Sequence, residues 1–161
     1  MPSSSGRSTS RMDVMEGTTV RLRGHHLLCV WGFRGLGYNL EFVQNLWDVV
    51  GLLEATRERD GEIEIVEGPD DICRACPHLF GVRCRRGGLV REDKIKAQDA
   101  WALIAVDLLP GRHSWKEVTA RVATQVPPER LGQLCGECVW LPQGYCSQGI
   151  ESMALPRMAR I

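Results

Sequence analysis

The chain has 161 residues, enough for one domain with an ordinary apolar core. Its 20 basic and 20 acidic residues cancel, so its net charge gives no argument for binding nucleic acid or an anionic membrane. The Ser-rich start has no apolar signal segment, and no run approaches the roughly 18 apolar residues of a membrane helix. We therefore expect a soluble cytoplasmic protein with a disordered tail over residues 1–18 and a single cysteine-rich domain over residues 19–161.

The first third of the chain predicts a strand, a short helix and a long helix. Residues 18–24 alternate weakly between polar and apolar, which indicates a short strand. The segment HHLLC that follows is apolar without β-branched residues, which favours a short buried helix. Apolar residues then repeat every three or four positions from Leu40 to Leu53, with Asn39 as the helix N-cap and Gly61 as the stop.

The rest of the chain adds a strand and two helices. Residues 62–68, EIEIVEG, alternate and predict a strand. Residues 90–111 predict a helix that ends at Pro110 and Gly111, and Ser114 with Glu117 forms a capping box ahead of another helix. The predicted fold class is mainly α with a minor β element (α+β), in which one small two-stranded element accompanies two cysteine loops.

Six of the seven cysteines lie in two triplets with the same C-x2-C-x7-C spacing. The members are Cys73, Cys76 and Cys84 in the first triplet and Cys135, Cys138 and Cys146 in the second. A C-x2-C pair places two thiolates on one turn, close enough to share a metal ion or cluster. Because cytosolic thiols stay reduced and the cysteine count is odd, the pattern favours metal binding over a disulfide framework.

Three groupings of these thiols are open. Each triplet can hold its own centre, with Cys29, a histidine, water or nothing in the fourth ligand position. Alternatively, the two C-x2-C pairs meet as one four-thiolate site, or one triplet plus Cys29 holds a cluster while the other binds zinc together with a histidine. The first grouping is favoured, because the second leaves Cys84 and Cys146 at matching positions without a purpose.

The identity of the metal has one local indication. Pro77 directly follows Cys76, and a Cys-Pro step is a ferredoxin-like feature. We expect an iron–sulfur cluster, 4Fe–4S rather than 2Fe–2S, with zinc as the alternative. His78 is so near Cys76 that a shared tetrahedral site would be strained, so it is not expected to be a ligand. The pair Asp70-Asp71 is expected to form a turn or cap.

The segment GHHLLC carries the remaining candidates. On a helix, His25 and His26 lie four and three residues before Cys29, so Cys29 can sit near either. One interpretation is core packing. The other is functional: Cys29 supplies a fourth ligand, or His25 and His26 act as general acid or base beside an iron that lacks a protein thiolate.

Four segments in this order resemble a bacterial and archaeal family of unknown function whose members are labelled iron–sulfur-binding proteins. The segments are RLRGHHLLC, GFRGLGYN, GPDDICRACPHL and CGECVW. The resemblance runs from about Val20 to about Cys146. It implies that His25, His26 and all seven cysteines are motif positions, and it implies no activity.

The leading functional expectation is a small iron–sulfur protein that transfers electrons to a redox partner protein or senses redox state. The runner-up is a cluster-dependent enzyme that binds a small-molecule substrate at an open iron near His25, His26 or Cys29. The third is a zinc-stapled interaction module without catalysis. The sequence carries no argument about the oligomeric state.

Overall fold

The computed structural model describes residues 18–85, 91–135 and 141–153. The predicted tail, up to residue 17, and Cys138 lie outside the described residues. The helices are α1 (His26–Cys29), α2 (Leu40–Glu58), α3 (Arg91–Val106), α4 (Trp115–Gln125), α5 (Leu131–Leu134) and α6 (Tyr145–Ser152). The strands are β1 (Arg21–Arg23), β2 (Glu62–Val66), β3 (Leu79–Phe80), β4 (Arg83–Cys84) and β5 (Gly111–Ser114). Short 3-10 turns cover Val30–Gly32, Cys73–Ala75, Pro128–Arg130 and Leu141–Gln143. The predicted α+β class is confirmed.

The central sheet has the order β1-β2-β5, and its parallel pair positions the site. Strand β1 runs parallel to β2, with Leu22 paired to Ile65, and β2 runs antiparallel to β5. The apolar side chains of this pairing are fully buried. Because parallel strands end at the same edge of a sheet, the segments after β1 and β2 lie side by side there. These two segments carry the histidines and the first cysteines.

The predicted helix starts are confirmed by their caps. The Asn39 side chain accepts a hydrogen bond from the Phe42 amide at 2.8 Å and begins α2. The Ser114 hydroxyl accepts from the Glu117 amide at 3.4 Å and begins α4. Local sequence therefore determines where both helices begin.

The second half of the chain differs from the prediction in two ways. Helix α3 ends at Val106, several residues before Pro110, because Asp107 takes a left-handed conformation with φ of 54°. The expectation of one two-stranded element is wrong: within the described residues there is a three-stranded sheet and a separate β3–β4 hairpin. The additional strands have two to four residues, too few for a readable alternation.

The core lies between the sheet and the helices. Trp31 and Trp115 stack in it with ring centroids 5.7 Å apart. Trp101 lies outside this core and is 63% exposed on α3. None of the described helices has the length and apolar character needed to cross a bilayer.

Candidate metal centre

A cavity of about 80 Å³ lies at the sheet edge where β1 and β2 end. Five of the cysteines that the structure describes line it: Cys29, Cys73, Cys76, Cys84 and Cys135. His25, His26, Arg23 and Gln98 also line it, and its apolar wall is formed by Val30, Tyr38, Phe42, Leu46, Ile72 and Ile95. The cavity therefore gathers thiol and imidazole donors from four separate segments of the chain within an apolar surrounding.

The two triplets are not arranged alike around this cavity. Cys135, from the second triplet, lines it together with the whole first triplet. Cys146 instead lines a second cavity of about 50 Å³, and Cys29 lines both. The structure thus places Cys135 with the first triplet, whereas the favoured grouping gives each triplet a centre of its own. Cys138 lies outside the described residues, so its role stays a prediction.

The loop of the first triplet is organised locally. The amide of Cys76 donates to the carbonyl of Cys73 at 2.9 Å, which closes the turn of the C-x2-C pair. The β3–β4 hairpin then brings Cys84 back opposite Leu79. Gly81 in this hairpin has a φ of 60°, a left-handed conformation that glycine adopts without strain and that allows the bend.

Asp70 connects this loop to the histidine segment. One carboxylate oxygen accepts from the amides of Ile72 and Cys73 at 2.9 and 3.0 Å, which confirms the predicted cap. The other accepts from the Arg23 amide and from Nδ1 of His26, both at 2.7 Å. Burial acts to raise the pKa of Asp70, but His26 and these amides outweigh it and hold that pKa below its usual range. Asp70 is therefore an anionic acceptor whose two oxygens each receive two donors.

Asp99 on α3 holds the other histidine. Its Oδ1 atom accepts from Nδ1 of His25 at 2.6 Å and from the His25 amide at 3.1 Å. Burial lowers the pKa of His25 to about 4, so this imidazole is neutral at pH 7. Burial acts to raise the pKa of Asp99, but the hydrogen bond from His25 and the charge of Arg23 outweigh it and hold that pKa below its usual range.

Arg23 and Glu92 complete the polar wall of the site. The Arg23 guanidinium donates through Nε to Asp99 at 2.8 Å and through Nη2 to Glu92 at 3.0 Å. The second oxygen of Glu92 accepts from the amide of Cys84 at 2.7 Å. Arg23 and Glu92 are almost fully buried. Carboxylates thus position the backbones of both Cys73 and Cys84.

One nitrogen of this buried network lacks a partner. Among the described residues, Nη1 of Arg23 is buried and has no hydrogen-bond acceptor. A buried donor on a charged group is normally satisfied, because leaving it unpaired costs about 1–3 kcal/mol or more. Since Arg23 also lines the cavity, this donor is suited to an anionic group bound there.

The thiol of Cys73 is not acidic by itself. Burial raises its pKa above the ordinary thiol value, and the neighbouring Asp70 carboxylate adds to the effect. Activated cysteine nucleophiles have lowered pKa values, so Cys73 does not resemble one. A thiolate forms in such a place when a cation replaces the proton, as in metal ligation.

Three residues of the site were not foreseen from the sequence: Arg23, Glu92 and Asp99. Glu92 and Asp99 are seven residues apart on α3 and face inward on either side of the buried Ile95. Two acidic residues seven positions apart lie on the same face of a helix, and when that face is otherwise apolar the pattern indicates a buried polar network. His78 contacts the ring of Tyr38 edge-on, with the ring centroids 4.5 Å apart.

Comparison with known proteins identifies the family. A family model described as a protein of unknown function, DUF1284, matches residues 37–144. The chain belongs to the DUF1284 family. The matched stretch contains Cys73, Cys76, Cys84, Cys135 and Cys138, and it begins after the histidine segment and α1. No curated protein and no solved structure shows significant similarity to the chain.

Proposed function

We propose that this DUF1284 protein is a small iron–sulfur protein that carries single electrons or senses redox state. Cys73, Cys76, Cys84 and Cys135 would hold the cluster, and Cys29 is a further thiol beside it. The observation that supports this most is that thiols from both triplets line one cavity, although about fifty residues separate Cys84 from Cys135. Four converging thiolates are the usual protein ligands of an iron–sulfur cluster.

The size of the cavity favours a polyatomic group. Its volume of about 80 Å³ is several times the roughly 10–15 Å³ that one water molecule requires by the same kind of measure. Five thiols and two imidazoles also exceed the four ligands of one tetrahedral zinc ion. Both observations suit a cluster better than a single ion.

The charge of the site favours an anionic group. Arg23 is a buried cation, and Nη1 is the one nitrogen of its guanidinium without a hydrogen-bond partner among the described residues. A cluster ligated by thiolates carries net negative charge on its sulfur atoms, which accept hydrogen bonds. The Nη1 atom of Arg23 is a suitable donor to such sulfur.

The residues of the chain then have separate roles. Asp70 and Glu92 hold the amides of Cys73 and Cys84, which fixes the ligand loops. The apolar wall limits the access of water, and this influences the reduction potential. When bound, the cluster supplies one-electron chemistry, so each reduction is matched by oxidation of an external donor, for which we propose a redox partner protein.

His25 supports one alternative function, a cluster-dependent enzyme. The side chain lines the cavity, and its neutral imidazole donates from Nδ1 to Asp99, which leaves Nε2 with a lone pair. Such a nitrogen can orient a bound small molecule by accepting a hydrogen bond from it. Substrate-dependent turnover that is lost in His25→Asn while the iron content is retained would favour this alternative.

The proposed function is tested by anaerobic purification followed by metal and sulfide analysis and a visible spectrum. We expect iron and acid-labile sulfide in equal amounts, together with thiolate-to-iron absorbance that bleaches when dithionite donates electrons. A colourless protein with stoichiometric zinc and no iron would contradict the proposal and favour a zinc-stapled module.

A further inference from the structure

We propose that His26 is a nitrogen ligand of the metal centre and binds through Nε2 in place of one of the four thiolates, so that the centre has mixed thiolate and imidazole ligation. This inference rests on the proposed function and specifies the ligand set of the same site. It is separate from the acid–base role that the sequence suggests for this residue.

The position of His26 supports ligation. A ring nitrogen of His26, a carboxylate oxygen of Asp70 and the Sγ atom of Cys73 lie within 4.8 Å of one another. His26 lines the same cavity as the five thiols. It is also the first residue of α1, directly after the turn that follows β1, so its backbone is held by the sheet edge.

The hydrogen bonds of Asp70 determine which atoms of His26, Asp70 and Cys73 are available to bind a metal. Asp70 already receives two donors on each oxygen, so it acts as an acceptor that orients its neighbours. Because Nδ1 of His26 donates to Asp70, its neutral ring has the lone pair on Nε2. A histidine that binds a metal through one nitrogen typically donates from the other to a carboxylate, as here.

His25 provides the internal comparison. It also lines the cavity, and it also donates from Nδ1 to a carboxylate, that of Asp99. Among the described residues, however, a ring nitrogen of His26 lies within 4.8 Å of the Sγ atom of Cys73, whereas His25 belongs to no comparable group of three donor atoms. The structure therefore assigns the ligand role to His26 and leaves His25 as a neighbour.

Imidazole ligation has a measurable consequence. Replacing a thiolate with a neutral imidazole removes negative charge from the centre, so the oxidised state is less favoured and the reduction potential rises. A centre with His26 as ligand is therefore expected to have a higher potential than an all-thiolate variant of the same chain.

The experiment compares the intact protein with two matched variants, His26→Asn and His25→Asn. In each variant the asparagine amide can keep the donor that Nδ1 offered to the carboxylate, while Nε2 is removed. Each anaerobically purified protein is analysed for iron and sulfide and reduced with dithionite. Its bound nitrogen is then measured by pulsed EPR through the nitrogen hyperfine coupling, and its potential by redox titration. His26→Cys is added as the all-thiolate variant.

We expect the intact protein and His25→Asn to show the strong coupling of a directly bound imidazole nitrogen. His26→Asn is expected to lose this coupling, with or without loss of iron, and His26→Cys to shift to a lower potential. A cluster without nitrogen coupling in the intact protein would overturn the inference while the proposed function stands. So would coupling that persists in His26→Asn. If the protein holds zinc and no sulfide, the proposed function fails. The inference is then tested by X-ray absorption spectroscopy at the zinc edge. Scattering from a zinc-bound imidazole that disappears in His26→Asn supports it, and the absence of such scattering overturns it.

Discussion

Arg23 has three carboxylate neighbours that also hold the residues of the candidate site. Asp99 binds the Nε atom of Arg23 and the ring of His25, and Glu92 binds the Nη2 atom and the amide of Cys84. Asp70 binds the backbone of Arg23 and the ring of His26. Because buried ion pairs often add little net stability, we interpret this network as a device that fixes ligand positions.

At the residue scale, we predict unequal effects of cysteine substitutions. Cys76→Ser is expected to lower the iron bound per chain severalfold, because a hydroxyl is a much poorer ligand for iron than a thiolate. Cys146→Ser is the matched control, since Cys146 lines the second cavity, and it is expected to retain most of its iron. Cys29→Ser, at the wall between the two cavities, is expected to lose far less iron than Cys76→Ser. The measurement is iron per chain after anaerobic purification of all three variants.

Equal iron loss in Cys76→Ser and Cys146→Ser would contradict this assignment and favour a separate centre for the second triplet. Thermal unfolding of each variant serves as the check that any loss of iron is not a loss of fold.

Some of these residues could be predicted from the sequence. The cysteine spacing and the histidine pair are local patterns, and Asp70 reads as a cap because its amide partners are two and three residues away. Arg23 and Asp99 could not be paired, because 76 residues separate them and only the packing of α3 on the sheet edge joins them.

At the element scale, two glycines allow close approach of neighbouring segments. A Cβ atom on Gly24 would overlap the Asp99 carbonyl, so this glycine lets α3 pack closely against the start of the histidine segment. A Cβ atom on Gly149 would overlap the Trp31 carbonyl, so this glycine lets α6 rest on the turn that follows α1. In both cases the neighbouring atom is backbone and has little freedom to move.

The glycine in α6 gives a stability prediction. Gly149→Ala is expected to lower the free energy of unfolding by about 1–3 kcal/mol, because the added methyl group must push α6 away from Trp31. Gly51→Ala is the control. Among the described residues, no atom beyond the backbone of α2 itself lies within 4 Å of a methyl group added there, so this variant is expected to gain up to about 1 kcal/mol from helix propensity. Urea denaturation of both variants measures the difference. A Gly149→Ala midpoint at or above that of the parent protein would show that α6 does not pack as described.

Helices and strands that depend on local sequence could be predicted, and those that depend on a distant partner could not. The starts of α2 and α4 were correct, because Asn39 and Ser114 cap amides only three residues away. Strand β5 and the β3–β4 hairpin were missed, because a strand of two to four residues is defined by its partner and not by its own pattern. The early end of α3 at Asp107 was missed because no glycine or proline marks it.

At the scale of the whole molecule, the parallel pair β1–β2 determines where the site forms. Both strands end at one edge, which brings the histidine segment beside the first cysteine loop. Helix α3 then closes the site with Glu92 and Asp99, and α5 delivers Cys135, whose preceding carbonyl accepts a hydrogen bond from Gln98. The site is therefore a product of the tertiary fold and not of either cysteine loop alone.

The grouping of the cysteines was the part that sequence could not supply. Identical spacing suggests identical roles, and this favoured one centre for each triplet. In the structure Cys135 lines the cavity of the first triplet, while Cys146 lines the second cavity. The spacing of cysteines along the chain predicts which thiols share a turn. Which turns lie next to each other depends on the tertiary fold.

The most direct test of this arrangement is a crystal structure of the anaerobically purified protein with anomalous data at the iron edge. We predict one strong iron signal in the cavity that Cys73, Cys76, Cys84 and Cys135 line, bonded to sulfur atoms of both triplets. Two separate iron signals, one at each triplet, or no iron signal in the cavity would contradict this arrangement.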